Sequence, residues 1–351
     1  MRQKNLFIRV DSGLDIGLGH VMRCFALAEI IKNMNFNVYF ISKEIKGNII
    51  KNIENNGYKV FTLDSKAIKS PKHRWKIDAA KTTKIIQRFK NEKNLLLVDN
   101  YELSKMWETS LKPVVDKIIV IDDFSNRSHN CNLFIDQNLH TKNKESNKKN
   151  PKNCKKLLGP KYALLRKEFV EGRRTVKRRS GKINRVLILF GGSDEKNQTL
   201  KVIKKIVNEK INVDVIVGEP NKNKTKIKKI CSRMENFTYY QQPKNIAKIM
   251  KKADLAIGAG GIITWERCCL GLPSIVSIVS KNQEDATNAV SKKGCLINLG
   301  RVEQLTSEDY LNAIRNLNSR KLIRMHKKCL ELVDGKGTER VAKQISLIAK
   351  I

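Results

Sequence analysis

The chain has 351 residues, with 70 lysines and arginines against 34 acidic residues and a formal net charge of +36. That length accommodates two domains with separate cores, and no run approaches the ~18 apolar residues that a spanning helix needs. The eight cysteines include no Cys-x-x-Cys pair, which excludes the common zinc spacings and a secreted disulfide framework.

Residues 6–10 read as a strand. A glycine-rich turn follows, Ile16-Gly17-Leu18-Gly19-His20, and then an amphipathic helix over 20–33 with apolar Met22, Phe25, Ala26 and Ile30. Strands at 37–41 and 59–63 flank a helix at 45–55. A helix at 78–90 precedes strands at 94–98 and 117–121. Continuous apolar strands of this kind are covered by helices on both faces, so the pattern is repeated βα units and a parallel sheet.

Residues 141–156, rich in lysine and asparagine with one proline, read as a surface loop. Charge clusters at 173–179, and a new strand begins at 185–190. Strands at 213–217, 255–257 and 274–278 and a helix at 245–252 repeat the logic. The expected division is a first domain over 1–172, a linker at 173–183, a second domain over 184–330 and a C-terminal helix over 331–351. The expected architecture is α/β, two Rossmann-like doubly wound parallel-sheet domains with an interdomain cleft where strand ends and helix starts meet a ligand.

The first turn carries the sharpest signal. Gly17 and Gly19 permit close approach of backbone amides to an anion at a helix start, and His20 sits beside it as a proton-transfer group. The dinucleotide fingerprint fails because Met22 stands where its third glycine belongs. A P-loop fails because Gly335-Lys336 is followed by Gly337 and has no glycine at Leu330.

Three loops in the second half offer similar chemistry. Gly191 and Gly192 end one strand, and Gly260 and Gly261 end another, with amides that would face an anion. Glu266, a turn into the following helix, suits ribose hydroxyls, and Asn282 and Gln283 supply carboxamides. Each loop alone is an ordinary βα turn. Together with the His20 loop they point to a nucleotide diphosphate.

The remaining features read as structure. Lysines such as Lys201, Lys204, Lys226 and Lys229 are spread through helices without interleaved aromatics, so specific nucleic-acid binding is not expected and attraction of an acidic substrate fits the charge. His73, His129, His140 and His326 lack a glycine-loop context, and Cys24 reads as a packed thiol. Asp122 and Asp123 are adjacent rather than spaced as Asp-x-Asp, so no metal is expected.

Several blocks carry a family resemblance: IRVDSGLDIGLGHVMRC, VDNYELSKMWE, IDDFSNRSHNCNLFIDQN, GPKYALLRKEF, FGGSDEKNQT, ADLAIGAGGIITWERCCLGLPSIV and DGKGTERVA. In that order the chain resembles, nearly end to end, the UDP-sugar hydrolases of pseudaminic acid biosynthesis and, more widely, the MurG-type GT-B glycosyltransferases. It departs from their pattern at Ser12, Asn100, Asn132 and Ile263. The resemblance implies a GT-B fold and hydrolysis of the anomeric bond of UDP-diacetamido-trideoxy-L-altropyranose to UDP and free sugar. It implies inversion, with His20 activating water and neither metal nor cofactor.

Candidates for sugar contact are Asp11, Arg23, Asp99 and Tyr101. Relatives imply uracil recognition near Ile246. The expected partner is the UDP-sugar alone, with no stable membrane insertion, in a cytoplasmic monomer or weak oligomer lacking a secretory leader. The alternatives are a GT-B transferase using a UDP-sugar donor, a hydrolase of a related UDP-diacetamido sugar, and a noncatalytic nucleic-acid binder suggested by charge alone.

Overall fold

The computed structural model describes residues 2–64, 74–124, 127–141 and 150–350; His73 and half of the 141–156 stretch, residues 142–149, lie outside them. The elements run β1 (Lys4–Val10), α1 (Gly19–Lys32), β2 (Phe36–Glu44), α2 (Ile50–Asn55), β3 (Lys59–Asp64), α3 (Arg74–Ile86) and β4 (Lys93–Asp99). Then come α4 (Lys105–Leu111), β5 (Lys117–Ile121), β6 (Leu133–Asp136), β7 (Lys155–Leu158), α5 (Lys167–Arg174), β8 (Arg185–Leu189), α6 (Gln198–Ile206) and β9 (Asn212–Val217). The chain continues through α7 (Lys224–Cys231), β10 (Phe237–Gln241), α8 (Ile246–Lys252), β11 (Leu255–Ala259), α9 (Ile262–Cys269), β12 (Ser274–Ile278) and α10 (Glu284–Lys292). It closes with β13 (Leu296–Arg301), α11 (Ser307–Arg315), α12 (Ser319–Leu332) and α13 (Gly337–Ile348).

Two compact units result. The first runs to Asn138, continues to Arg166 and resumes at Lys336; the second spans Lys167–Gly335 and takes in Leu139–Thr141. Residues 173–183 lie within the second unit, where Arg173 donates to the carbonyls of Cys269 and Leu330, each at 2.8 Å. No helix among the described residues is long and apolar enough to cross a membrane.

The first unit is a seven-stranded sheet ordered β3-β2-β1-β4-β5-β6-β7, parallel throughout. Alternate β1 residues enter cores on opposite faces, Leu6, Ile8 and Val10 on one and Phe7 on the other. Both faces are therefore covered, as the apolar runs predict. The second unit is a six-stranded sheet ordered β10-β9-β8-β11-β12-β13, again parallel. In each sheet the order reverses at one point, β1/β4 and β8/β11, and loops leaving the strand ends there form a ready binding site.

Three details depart from the sequence reading. Helix α1 is buried almost all round rather than on one stripe, because Val341, Ala342 and Ile345 of α13 join its core and leave Met22 and Ile30 at the rim. The helix expected at 45–55 starts only at Ile50, because Gly47 takes a left-handed φ of 78°. Asn48 Oδ1 then accepts from the Ile50 amide at 3.0 Å, and Ser12 Oγ accepts from the Ile49 amide at 3.1 Å. Strands β6, β7, β10 and β13 extend both sheets beyond the runs recognised in the sequence.

Candidate active site

In the first unit the β1/β4 switch point gathers His20, Arg23 and Asp99. Strand β4 ends at Asp99, whose register partner is Val10 at the end of β1, and α1 begins one loop later. His20 and Arg23, one turn apart on α1, both turn toward Asp99. His20 Nδ1 lies 2.7 Å from Asp99 Oδ1. Arg23 donates Nε to Asp99 Oδ2 and Nη2 to Asp99 Oδ1, each at 2.6 Å.

Arg23 also reaches the end of β5, where Nη1 donates to both oxygens of Asp123 at 2.9 Å. Tyr101 donates its hydroxyl to Asp123 Oδ2, and Asn138 Nδ2 donates to Asp123 Oδ1 at 2.8 Å. The His20 ring meets Tyr101 edge-on, with centroids 4.6 Å apart.

The electrostatics fix the proton on the histidine. Burial alone would raise Asp99, but the Arg23 charge and the hydrogen bonds from Arg23 and His20 outweigh it and hold the carboxyl well below its usual range. Asp123 is likewise lowered by Arg23 against burial. An ionised Asp99 only accepts, so Nδ1 carries the hydrogen and Nε2 is the ring's basic nitrogen. Burial and the neighbouring Asp123 raise Tyr101 far above a free phenol, which keeps it a neutral donor. A histidine oriented by a buried carboxylate is the arrangement a general base requires.

The sequence candidates separate accordingly. Arg23 and Asp99 are each 1% exposed and bonded to one another, and Asp99 also meets His20. Asp11 is tied elsewhere, accepting from Arg9 Nη1 at 2.5 Å, from Arg9 Nη2 at 2.8 Å and from the Lys43 amide at 2.7 Å. Asn100 Nδ2 donates to Asp11 at 2.8 Å. Gly17 adopts a φ of 78° and donates its amide to Gly13 at 2.9 Å, and no side chain caps the start of α1. The amides of Gly19 and His20 are thus among those with no intrahelical partner.

Trp107 is buried, with its indole N–H 3.0 Å from Asp78. Cys24 is buried, and burial pushes its thiol up. His129 is clamped between Glu108 at 2.6 Å and Asp122 at 2.7 Å. His140 pairs with Asp285 at 2.7 Å, and His326 with the Gly271 carbonyl at 2.7 Å.

Asp123 and Asn138 were missed by the sequence reading. Both lie inside the IDDFSNRSHNCNLFIDQN block that carries the resemblance, but as single residues they show only a position after apolar strands, and the adjacent Asp122-Asp123 pair bears individually on nothing but a metal motif. The two carboxylates in fact divide their work, Asp122 serving His129 and Asp123 serving Arg23.

In the second unit the loops after β8, β11 and β12 adjoin at the β8/β11 switch point. Gly261 takes a φ of 85° and opens α9 with no side-chain cap, leaving that helix start as a place for an anion. A Cβ on Gly260 would lie 2.6 Å from Thr287 Oγ1 and 3.2 Å from Gln283, so Gln283 sits against the turn. Gln283 accepts from the Val279 amide at 3.3 Å and Asn282 from Ser280 Oγ at 2.5 Å; each keeps a carboxamide NH2 to donate.

The α6 start is different. Asp194 accepts from the Gln198 and Thr199 amides at 2.9 and 2.8 Å, so the Gly191-Gly192 loop leads to a helix end already filled by a carboxylate. Gly191 has a φ of 88°, and Gly192 lies so close to Gly218 that a Cβ on the latter would fall 2.3 Å from its carbonyl oxygen. Glu266 is 7% exposed on α9, and Ile246 opens α8 behind the Asn245 cap.

The glycosyltransferase family 28 C-terminal domain matches residues 186–345. An uncharacterized protein of Methanocaldococcus jannaschii is 27% identical over 297 residues, 82% of this chain but 58% of that relative, so the chain spans little more than half its length. The UDP-2,4-diacetamido-2,4,6-trideoxy-beta-L-altropyranose hydrolase of Campylobacter jejuni is 26% identical over 290 residues, covering 82% of this chain and 97% of the hydrolase. Acinetobacter baumannii MurG matches with a TM-score of 0.69 at 13% identity, covering 99% of this chain and all of that one. The chain therefore has the two-domain, parallel-sheet Rossmann-like fold seen in MurG.

Proposed function

We propose that this chain hydrolyses a UDP-sugar at the anomeric carbon, releasing UDP and the free sugar with inversion. One observation carries the reading: His20 is held by an ionised Asp99 at a sheet switch point, so that Nε2 is left to take a proton. His20 Nε2 removes a proton from water as the water oxygen bonds to the anomeric carbon. The bond from that carbon to the phosphate oxygen breaks, and its electron pair leaves with UDP. The diphosphate is stable as an anion, so it needs electrostatic support rather than a strong acid, and the uncapped start of α9 supplies it. Asn282 and Gln283 donate to the same nucleotide, Glu266 serves the ribose, and the chain near Ile246 receives the uracil. Similarity to the Campylobacter hydrolase supports a diacetamido-trideoxy-L-altrose as the sugar.

The test is a time course of UDP release from that UDP-sugar, with EDTA present, for the wild type and His20→Asn. Rapid release by the wild type, with a large loss in a variant that still binds UDP, is the expected result. No release by folded wild type overturns the substrate. Release that survives in His20→Asn removes the histidine from the mechanism.

A second reading has its own support. The family 28 match and the MurG-like fold favour transfer of the sugar to an acceptor in place of water. Product analysis separates the two readings: glycosylated acceptor with no free sugar establishes transfer.

A further inference from the structure

Away from both switch points, three cysteines converge in the second unit. Cys268 on α9, Cys295 just before β13 and Cys329 on α12 place their sulfur atoms all within 4.8 Å of one another. They are 3%, 1% and 0% exposed, and all three are free thiols. Their wide separation along the chain is why no metal motif is legible in the sequence.

We propose that Cys268, Cys295 and Cys329 form a binding site for a single soft monovalent cation, copper(I), held by sulfur alone. Thiolate sulfur selects soft ions over hard ones. With metal–sulfur bonds of about 2.3 Å, three sulfurs around one ion stand about 4 Å apart, a spacing these thiols reach with little movement. Structural zinc sites close with four protein ligands, whereas this cluster supplies three and is closed to water. His326, one turn before Cys329, spends Nδ1 on the Gly271 carbonyl.

Charge around the cluster suits an anionic complex. Arg267, next to Cys268, is 2% exposed. It donates Nη2 to the Ala259 carbonyl at 2.8 Å and to Thr264 Oγ1 at 3.2 Å. Its buried Nε has no hydrogen-bond partner, and the charges that favour its cationic form come from Cys268, Cys329 and Glu266. A buried cation of this kind is stabilised by nearby negative charge, which metal-bound thiolates provide once their protons are released on binding.

The experiment loads the reduced full-length protein with copper(I) acetonitrile complex under nitrogen, against a chromogenic copper(I) chelator. Copper per chain, the ultraviolet thiolate-to-copper charge-transfer band and the thermal midpoint are read together. The expected result is one equivalent retained, a raised midpoint, and a loss of affinity of at least about tenfold in Cys295→Ser and Cys329→Ala. Cys131→Ser, which alters a thiol of the first unit, should bind as the wild type does. Failure of the wild type to retain one equivalent overturns the proposal, as does retention unaffected by the cluster substitutions. Preferential binding of zinc over copper(I) overturns the three-coordinate assignment.

Discussion

Arg23 bridges to Asp123 through a single nitrogen, with Nη1 2.9 Å from both carboxylate oxygens, while its other nitrogens are committed to Asp99. One cation thus balances a buried and a half-buried anion and fixes the gap between the ends of β4 and β5. Arg23→Met should destabilise the protein by roughly 3–5 kcal/mol, because it strands both carboxylates without a counter-charge. Chemical denaturation measures this, and an unchanged midpoint would refute the network. Asp99 and Asp123 both sit below their ordinary range. Their contribution is therefore complete above about pH 4 and is lost as the pH falls further.

Asp99→Asn tests a different property of the same carboxylate. An amide in its place need not hold Nδ1–H, so the basic nitrogen of His20 is no longer assured. UDP release should fall about a hundredfold to ten-thousandfold, while UDP affinity, measured by calorimetry, stays near that of the wild type. A variant with full turnover would show that the orientation of His20 is irrelevant.

Much of this was legible from local sequence, and the reason is burial. Strands β4, β5 and β8 contain unbroken apolar runs, those of β1 and β12 are interrupted only by Arg9 and Ser277, and the glycines before His20 mark a turn that needs a left-handed φ. Two of the missed strands, β10 reading FTYYQ and β7 reading KKLL, are sheet edges, where polar residues face water and the apolar run disappears. Strand β6, by contrast, is a buried interior strand of only four residues, LFID. The pairing of Arg23 with Asp99 is unreadable for another reason. Their partners lie far along the chain, so sequence shows charged residues near a loop but not that the charges cancel one another. The Asp194 cap was equally hidden, since an aspartate after two glycines suits ligand binding and helix capping alike.

His129 gives a pH prediction of opposite sign. Burial would lower it, but hydrogen bonds to Asp122 and Glu108, with their charges, push it up to about 9. Its unfolded value is about 6.5, so its stabilisation is fully present below that pH and disappears as the pH rises through 9. The contribution is about 3 kcal/mol at ~1.4 kcal/mol per pH unit. His129→Gln should therefore lower stability at pH 6 much more than at pH 10. Equal losses at both would show that the imidazole is not charged in the folded protein.

Gly260→Ala probes the second unit. The added Cβ would stand 2.6 Å from Thr287 Oγ1, forcing apart the turn and α10 at the proposed diphosphate site. UDP affinity should drop by about tenfold or more, or ~1.4 kcal/mol, and Thr287→Ala in the same chain should recover part of it. Unchanged calorimetric affinity in the single variant would move the diphosphate to another loop.

The pairing of α1 with α13 bears on how the protein assembles. The helix that carries His20 and Arg23 is made early, but the apolar residues covering it, Val341, Ala342 and Ile345, follow the whole second unit in the chain. The second unit can close upon itself during synthesis while α1 still has an uncovered flank. Loop closure over so long a separation is slow. The His20–Asp99–Arg23 cluster should mature last, and until α13 arrives that flank is the natural place for a chaperone to hold.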